Sequence, residues 1–438
     1  MVGGAVRDEL LGIPHKDEDF LVPGVDHRGL RAALEAHGRV EDMEVHGQLV
    51  GVRFHPRDRG LRAFVPAGIE LTPPRAERST GPGHRDFQIV SDPSITIGED
   101  MARRDFTVNA MARRLETSEL VDPFGGVTDL ARRELHTVSP ESFREDPLRL
   151  LRALRLVSQI GFDLSGETLT QMRLESAALR HVSAERIGGG LGADGMGELS
   201  RLLLGHEPAK ALRLARDTGV LVALLPEFVD AIGYRSDTAR QPLPVDEHTF
   251  VVVQAASDLG APLAVRLAAL LHDLGKPDAD RSGREHADVG AELARRVLRR
   301  MRYPTRLGQR VTRIVRHHSF GLAEPIDGLG ARRFLAEHGD GLAFDLVSHR
   351  EADLRGKSLS SPREHELAAR FRAALEHESG SPHRIEDLAI DGSDLIAIGF
   401  RESPELGRVL RVLLEEVIVD PGRNEREALL TRARLELG

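Results

Sequence analysis

The sequence predicts an α+β chain in which a small mixed β-sheet near the N-terminal end is followed by domains built from helices. Three observations predict it. Residues 1–22 read as helix, turn and strand, with Val6 and Leu10 on one helical face, Gly12 as the stop and the apolar run Phe20-Leu21-Val22 beyond it. Val50, Val52 and Phe54 alternate with Gly51, Arg53 and His55, and Ile69 and Leu71 flank Glu70, the period of two that strands require. From Glu145 onward the apolar residues fall at helical spacing instead, as at Leu406, Val409, Leu410 and Leu413.

At 438 residues the chain has room for about three domains of roughly 150 residues. It holds no cysteine, which excludes disulfides and thiolate metal sites and leaves His, Asp and Glu as metal ligands. No apolar run approaches the roughly 18 residues of a membrane span, and no basic stretch leads into an apolar one at the start, so a cytoplasmic protein without a membrane partner is expected. The formal charge of −9 argues only superficially against a nucleic-acid partner, because RNA is gripped by local basic surface. The positive charge is almost all arginine, with lysine only at Lys16, Lys210, Lys276 and Lys357. Arginine's planar fork suits phosphates and base edges, while a GC-rich genome gives the same bias.

On the first strand Asp17 and Asp19 project to one face and Glu18 points away. Two adjacent carboxylates repel unless a cation lies between them, and a hard ion such as Mg2+ favours such oxygens together with phosphates. Just upstream, Gly3 and Gly4 let backbone N–H groups approach an anion at a helix start. Metal beside phosphate suggests nucleotide chemistry. The whole pattern Gly-Gly-x-Val-Arg-Asp-x-Leu-Leu-Gly-x4-Asp-x-Asp, from Gly3 through Arg7 to Asp19, resembles the head of the class II tRNA nucleotidyltransferases, the CCA-adding enzymes, and of their relatives the bacterial poly(A) polymerases.

This resemblance implies a polymerase-beta-like nucleotidyltransferase head over residues 1-138, a nucleotide-selecting and RNA-binding helical neck over 139-240, an HD phosphohydrolase domain over 241-360 and a helical tRNA-binding tail over 361-438. It implies Mg2+ at Asp17 and Asp19, with Gly3, Gly4 and Arg7 in the nucleotide pocket. Relatives carry more of a first strand before the glycine pair, so that strand is expected to be short here, or the true start to lie earlier. A helix near Gly29 to His37 precedes the strand of Val50, and a strand from Phe64 to Leu71 follows it. Glu70 there is either a third catalytic carboxylate, if its strand lies beside that of Asp17, or an exposed strand glutamate.

Residues Pro73 to Asp100, rich in Gly, Pro, Ser and charge, read as a mobile loop. In the family a flexible loop at this position is needed for the switch from C to A addition, which favours CCA addition over an A-only enzyme. Arg103-Arg-Asp-Phe-Thr-Val-Asn-Ala is read as opening a helix with Val108, Met111 and Leu115 on one face. It matches the family's RRD-x3-NA motif, implied to bind ribose and triphosphate through Arg104, Asp105 and Asn109; a helix cap is the alternative for Asp105. Asp122 begins a structural turn.

Glu145-Asp-Pro-Leu-Arg149 opens the next helix and puts Asp146 and Arg149 on one face. An intrahelical ion pair is one reading. The other is base selection: aspartate accepts from an amino group and arginine donates to a ring nitrogen, which matches the edges of cytosine and adenine and mismatches uracil and guanine. The family assigns this role to its EDxxR motif, and Asp146 and Arg149 match it. Arg149, Arg152 and Arg155 recur at helical spacing, as a basic stripe toward RNA or as a solvated face. After Glu185-Arg-Ile, relatives pass within two residues to a Glu-Leu pair; here Gly188 to Gly197 intervenes before Glu198-Leu199, an inserted glycine-rich loop.

In the third section His248, the run Leu267-Ala-Ala-Leu-Leu-His272-Asp273-Leu-Gly-Lys276 and Asp353 reproduce the spacing of an HD phosphohydrolase. Imidazole and carboxylate together suit Mn2+, Ni2+, Co2+ or Fe2+, with bound water as nucleophile. His248, His272, Asp273 and Asp353 match the family's ligand pattern, and His286 and His317 are further candidates for a second metal or a substrate phosphate. The function implied is addition of C, C and A to the tRNA 3′ end from CTP and ATP, with HD-centred 2′,3′-cyclic phosphodiesterase or phosphatase activity and no DNA partner. The alternatives are a poly(A) polymerase or an A-only or CC-only enzyme and, from another class, an HD phosphohydrolase with an RNA-binding head.

Overall fold

The first helix, α1 (Gly4–Leu11), starts where Gly3 takes φ 72° and stops at Gly12 in the left-handed conformation. In the computed structural model, residues 1–14, 19–45, 48–79, 87–91, 93–189, 196–236, 242–322, 324, 326–357 and 359–436 are described. Asp17 and most of the glycine insertion lie outside them. The chain gathers into two compact units, Met1–Pro226 and Glu227–Gly438.

In the first unit, β1 (Asp19–Leu21), β2 (Gly38–Val45), β3 (Gln48–Pro56) and β4 (Ile69–Thr72) form one sheet in the order β1-β4-β3-β2. β1 and β4 are parallel, while β3 is antiparallel to both β4 and β2, so the sheet is mixed. The helix α2 (His27–Glu35) begins at Asp26, whose carboxylate accepts from the Gly29 N–H at 2.7 Å. Val50, Val52 and Phe54 are buried on β3, where the alternation put them.

The structure corrects three local expectations. The stretch before β4 is not strand from Phe64: a short helix, α3 (Arg59–Phe64), is capped by Asp58, and only Ile69–Thr72 pairs. Part of the expected loop pairs as a hairpin, β5 (Arg75–Ser79) with β6 (Phe87–Ser91), and ends in α4 (Ile97–Ala102), which carries a Thr96/Glu99 capping box. Its tip, 80–86, lies outside the described residues. Finally, Val108, Met111 and Leu115 do not share a helix. The chain makes one 3-10 turn, Thr107–Asn109, and then a short strand, Ala112–Arg113, and Leu115 is exposed. The cause is side-chain competition: the Asp105 carboxylate accepts from the Phe106 N–H and from Asn109, taking the place of helical bonds.

Three helices complete what positions the site in this unit. Asp122 accepts from the N–H groups of Gly126 and Val127 and so starts α5 (Gly126–Arg132). Then come α6 (Ser142–Glu145) and α7 (Leu148–Ile160), the latter burying Leu148, Leu150, Leu151, Leu154 and Val157. Asp146 and Pro147 sit in the break between them, so Asp146 precedes the helix rather than lying on its face. The two ends of the glycine insertion are tied together: the Gly197 N–H donates to the Gly188 carbonyl at 2.8 Å, and the Ser200 hydroxyl donates to the same oxygen.

The second unit is helical. Val245–Asp258, Leu263–Leu271, His286–Arg300, Thr305–His317 and Asp340–Gly356 surround a histidine-rich centre. Gly275 is required there: a Cβ on it would stand 2.5 Å from the Gly290 nitrogen and the His286 carbonyl, so the helix from His286 packs directly on its backbone. Toward the C-terminal end, Leu395, Val409, Leu413, Val417 and Leu429 form a core of their own around the helix Pro404–Val419. No helix among the described residues is long and apolar enough to cross a membrane.

Candidate nucleotide cleft and metal centre

In the first unit the parallel register sets Asp19 beside Glu70. Partners in register share a face of the sheet, and both line a cleft of about 740 Å3. Glu70 is ion-paired with Arg53 from the neighbouring strand β3. Eight arginines line the same cleft against five carboxylates among the described residues. Gly3, the residue before α1, is where Arg104 crosses the backbone: a Cβ there would stand 2.4 Å from a guanidinium nitrogen of Arg104.

The residues matching the RRD-x3-NA motif sit in a relay of polar groups centred on the buried Asp105 and Asn109. Arg7 Nη1 donates to Asn109 Oδ1 at 2.7 Å, Asn109 Nδ2 donates to Asp105 Oδ1 at 3.0 Å, and Arg152 Nε on α7 donates to Asp105 Oδ2 at 2.7 Å. Burial alone would raise the pKa of Asp105, but Arg152 and Asn109 hold it well below the usual carboxylate range. Arg155 reaches Glu198 at 2.6 Å, beyond the glycine insertion. Burial lowers the pKa of Arg104 and Arg155, the mark of cations held where water is scarce, which a bound anion would relieve.

Asp146 and Arg149 both line the cleft, yet they are not paired with each other. Asp146 Oδ2 accepts from Arg186 at 3.0 Å, and Oδ1 accepts from the Leu148 N–H. Arg149 is 8 % exposed and anchored at both ends of its fork: Nη1 donates to the Ser142 carbonyl and hydroxyl and to Glu145, and Nη2 donates to the Arg103 carbonyl at 2.6 Å. The intrahelical Asp146–Arg149 pair is therefore replaced by two pairs to other partners.

In the second unit the spacing His248, His272-Asp273, Asp353 closes into one buried group. His248 Nε2 is 3.2 Å from Asp353 Oδ1 and 3.5 Å from Asp273 Oδ2, and His272 Nε2 is 3.2 Å from Asp273 Oδ2. His286 joins through His318, Nε2 to Nε2 at 3.3 Å. His317 does not: it packs on His338, with centroids 5.0 Å apart, and falls in neither group of candidate ligands among the described residues, which corrects the expectation of it as a metal ligand. The phase of its helix explains the exchange, because Val311, Ile314 and Val315 are the buried face and His318 continues it. His349 is a second residue the spacing missed. Its ring lies 5.0 Å from that of His272 and 5.6 Å from that of His318, and its position four residues before Asp353 on one helix is the signal that would have found it.

The donor set fits a divalent cation. Both ring nitrogens of His349 are buried without a hydrogen-bond partner among the described residues, and His248 Nε2 and His272 Nε2 face the Asp353 and Asp273 carboxylates without hydrogen-bond geometry, an arrangement that a metal ion between them would relieve. Burial pushes His318 down to about 3 and holds His349 well below the usual imidazole range, which keeps both rings neutral and able to ligate. Burial opposes ionisation of Asp273 and Asp353, but His272 with Lys276 on the first, and His248 with Lys357 on the second, hold both well below the carboxylate range. His248, His272 and Asp273 form one group of candidate ligands, and Asp273, His286 and His318 another.

Comparison with known proteins follows the same division. Residues 1–136 match the Poly A polymerase head domain family, 161–232 the family described as the probable RNA and SrmB-binding site of polymerase A, and 245–350 the HD domain family. The head and HD families imply the use of divalent metal. The chain is 36 % identical over 326 residues to the Multifunctional CCA protein of Neisseria gonorrhoeae, covering 73 % of each, and 31 % identical over 435 residues to that of Methylococcus capsulatus, covering 94 % of this chain and 92 % of the relative. Its fold is similar to the crystal structure of the Bacillus stearothermophilus CCA-adding enzyme in complex with CTP, with TM-score 0.70 and 24 % identity over 99 % of this chain and 93 % of the other. With a carboxylate-bearing sheet facing an arginine cleft and an HD cluster following it, and with relatives of this identity along most of its length, the chain belongs to the class II CCA tRNA nucleotidyltransferases that carry an HD domain, the CTP/ATP:tRNA nucleotidyltransferases.

Proposed function

We propose that this chain adds C, C and A to the 3′ end of cytoplasmic tRNA, with the cleft of the first unit as the site of transfer. The observation that carries the reading is the parallel register of Asp19 with Glu70 on the floor of a cleft that also holds Asp146 and Arg149. Asp17 and Asp19 would hold Mg2+, which when bound supplies activation of the attacking hydroxyl and neutralisation of the leaving pyrophosphate. In the reaction the tRNA 3′-oxygen bonds to the α-phosphorus as the bond to pyrophosphate breaks. Gly3, Gly4, Arg7 and Arg104 would receive the triphosphate at the start of α1, and Asp105 and Asn109 the ribose. Glu70, held by Arg53, would serve as the third carboxylate.

Asp146 and Arg149 would read the base. Each carboxylate oxygen of Asp146 has a spare lone pair for an amino group, and Arg149's anchoring fixes the plane of its fork. Uracil and guanine present a carbonyl and an N–H in place of the amino group and ring nitrogen, and leave both groups mispaired. Arg152 and Arg155, tied to Asp105 and Glu198, brace this template, with residues 1-138 acting as head, 139-240 as neck and 361-438 as the tail on the tRNA body. The test is to incubate the protein with tRNA lacking its CCA end and each nucleoside triphosphate, then read the added 3′ sequence. CCA from CTP plus ATP supports the reading; a long A homopolymer from ATP alone defeats it.

For the HD domain, 241-360, the reading is hydrolysis of a 2′,3′-cyclic phosphate or phosphomonoester. His248, His272, Asp273 and Asp353 would hold a transition-metal ion such as Mn2+, Ni2+, Co2+ or Fe2+, with His349, His286 and His318 beside them. When bound, the ion supplies polarisation of the phosphate and acidification of water. Lys276 and Lys357, each 2.6 Å from a carboxylate oxygen, keep Asp273 and Asp353 ionised and oriented.

A further inference from the structure

Beside the HD cluster lies a groove of about 580 Å3 that the metal-centred reading leaves unused. Its walls are aromatic: Phe320 and Phe334 are half-buried with ring centroids 5.1 Å apart, and Phe334 stands edge-on to His338 at 4.4 Å. Its inner end joins the cluster. Ser319 lines the groove, and its hydroxyl is 3.2 Å from Nε2 of both His286 and His318. Its rim is acidic, with Glu285, Asp327 and Glu337 exposed, while Arg316 is paired with Asp288 at 3.3 Å.

We propose that this groove is the base subsite of the HD centre: it takes the nucleobase of a nucleoside 2′,3′-cyclic phosphate whose phosphate lies at the cluster. The inference rests on the HD reading above. An acidic rim repels phosphate, so a nucleotide has one favourable direction, with its charged end toward the His/Asp centre and its uncharged ring among the phenylalanines. A volume of this size falls in the range of small-ligand pockets, and aromatic stacking holds any base by its face.

The experiment compares two cyclic phosphodiesters with the full-length, Mn2+-supplied protein: adenosine 2′,3′-cyclic phosphate, and glycerol 1,2-cyclic phosphate, which has no base. The expected result is a lower KM for the nucleotide, raised roughly tenfold by Phe334→Ala with the glycerol substrate unaffected, the loss of about one stacking contact. The base-free reaction is the internal control that the centre is intact. Equal KM values in the unmodified protein, or a proportional rise in KM for both substrates in a folded Phe334→Ala variant, overturn the subsite. Should that variant fail to fold, Phe334→Leu keeps apolar bulk without a ring and must show the same selective rise; an unchanged nucleotide KM overturns the proposal. Hydrolysis of neither substrate by the unmodified protein defeats the HD reading itself, and the subsite with it.

Discussion

The cleft of the first unit and the histidine cluster of the second solve opposite electrostatic problems. In the cleft, arginines outnumber carboxylates among the described lining residues, and the buried Asp105 is held by Arg152 and Asn109. In the cluster, carboxylates are ionised by neighbouring lysines and histidines, yet both ring nitrogens of the buried His349 have no hydrogen-bond partner among the described residues. The first arrangement is short of an anion and the second of a cation. A polyphosphate suits one and a metal ion the other, and both come from the same residue types used in different proportion.

The sharpest way to break this comparison is to remove each centre separately. Replacing Asp17 and Asp19 with Ala is expected to lower nucleotide incorporation by at least about a thousandfold, the loss of several kcal/mol of transition-state charge stabilisation, and to leave phosphoester hydrolysis unchanged. His272→Ala with Asp273→Ala should do the reverse. Loss of both activities in either double variant would mean the two sites are not independent.

A smaller effect tests the charge relay of the cleft. Arg152→Ala leaves Asp105 buried without its main partner and is expected to cost about 3 kcal/mol, the low end for such a break because Arg152 is itself 36 % exposed. The measurement is the denaturation midpoint as a function of pH. The folded pKa of Asp105 lies below its unfolded value, so its contribution is fully present above the ordinary carboxylate pKa of about 4 and is lost as pH falls below that. The deficit of the variant should therefore be largest near neutrality and shrink in acid. A deficit independent of pH would point to lost packing rather than lost charge pairing.

How far these sites could be read in advance depended on how local their signals are. The sheet was legible where burial imposes a period of two, at Val50, Val52 and Phe54, and in the apolar alternation of Ile69 and Leu71 around Glu70, and with it the condition under which Glu70 meets Asp19. The departure from a helix after Arg104 comes from a side chain: Asp105 bonds to Phe106 and Asn109, a tertiary arrangement locked by Arg152 from far along the chain. Likewise the pairing of Asp146 depends on Arg186, 40 positions away, which local helical spacing cannot express. In the cluster the reverse holds. Which of His317 and His318 turns inward follows from the buried phase of Val311 and Val315, a signal that is local and present in the sequence.

His349 gives the next prediction by size. If its unpartnered nitrogens belong to the metal centre, His349→Ala should lower metal affinity and phosphoester hydrolysis by about 10–100-fold while incorporation stays level. Metal content after dialysis against a graded chelator reads this without relying on turnover. Retained metal and activity would make His349 a packing residue of the core between the helices.

The smallest expected effect is the most specific to the cleft. Arg186, on the short helix Ala184–Ile187 that precedes the glycine insertion, reaches Asp146, and both side chains keep about a quarter of their exposure, at 27 % and 24 %. A partly exposed pair of this kind is worth about 1 kcal/mol, roughly fivefold in an equilibrium. Arg186→Ala should thus raise the KM for CTP and ATP a few-fold and narrow their preference over UTP, since an unbraced carboxylate is free to turn away from the amino group it reads. Single-nucleotide incorporation with CTP, ATP and UTP in parallel measures both quantities. A uniform rise in KM with the preference intact would assign Arg186 to holding phosphate, and would leave base selection to Asp146 and the four-way anchored Arg149 alone.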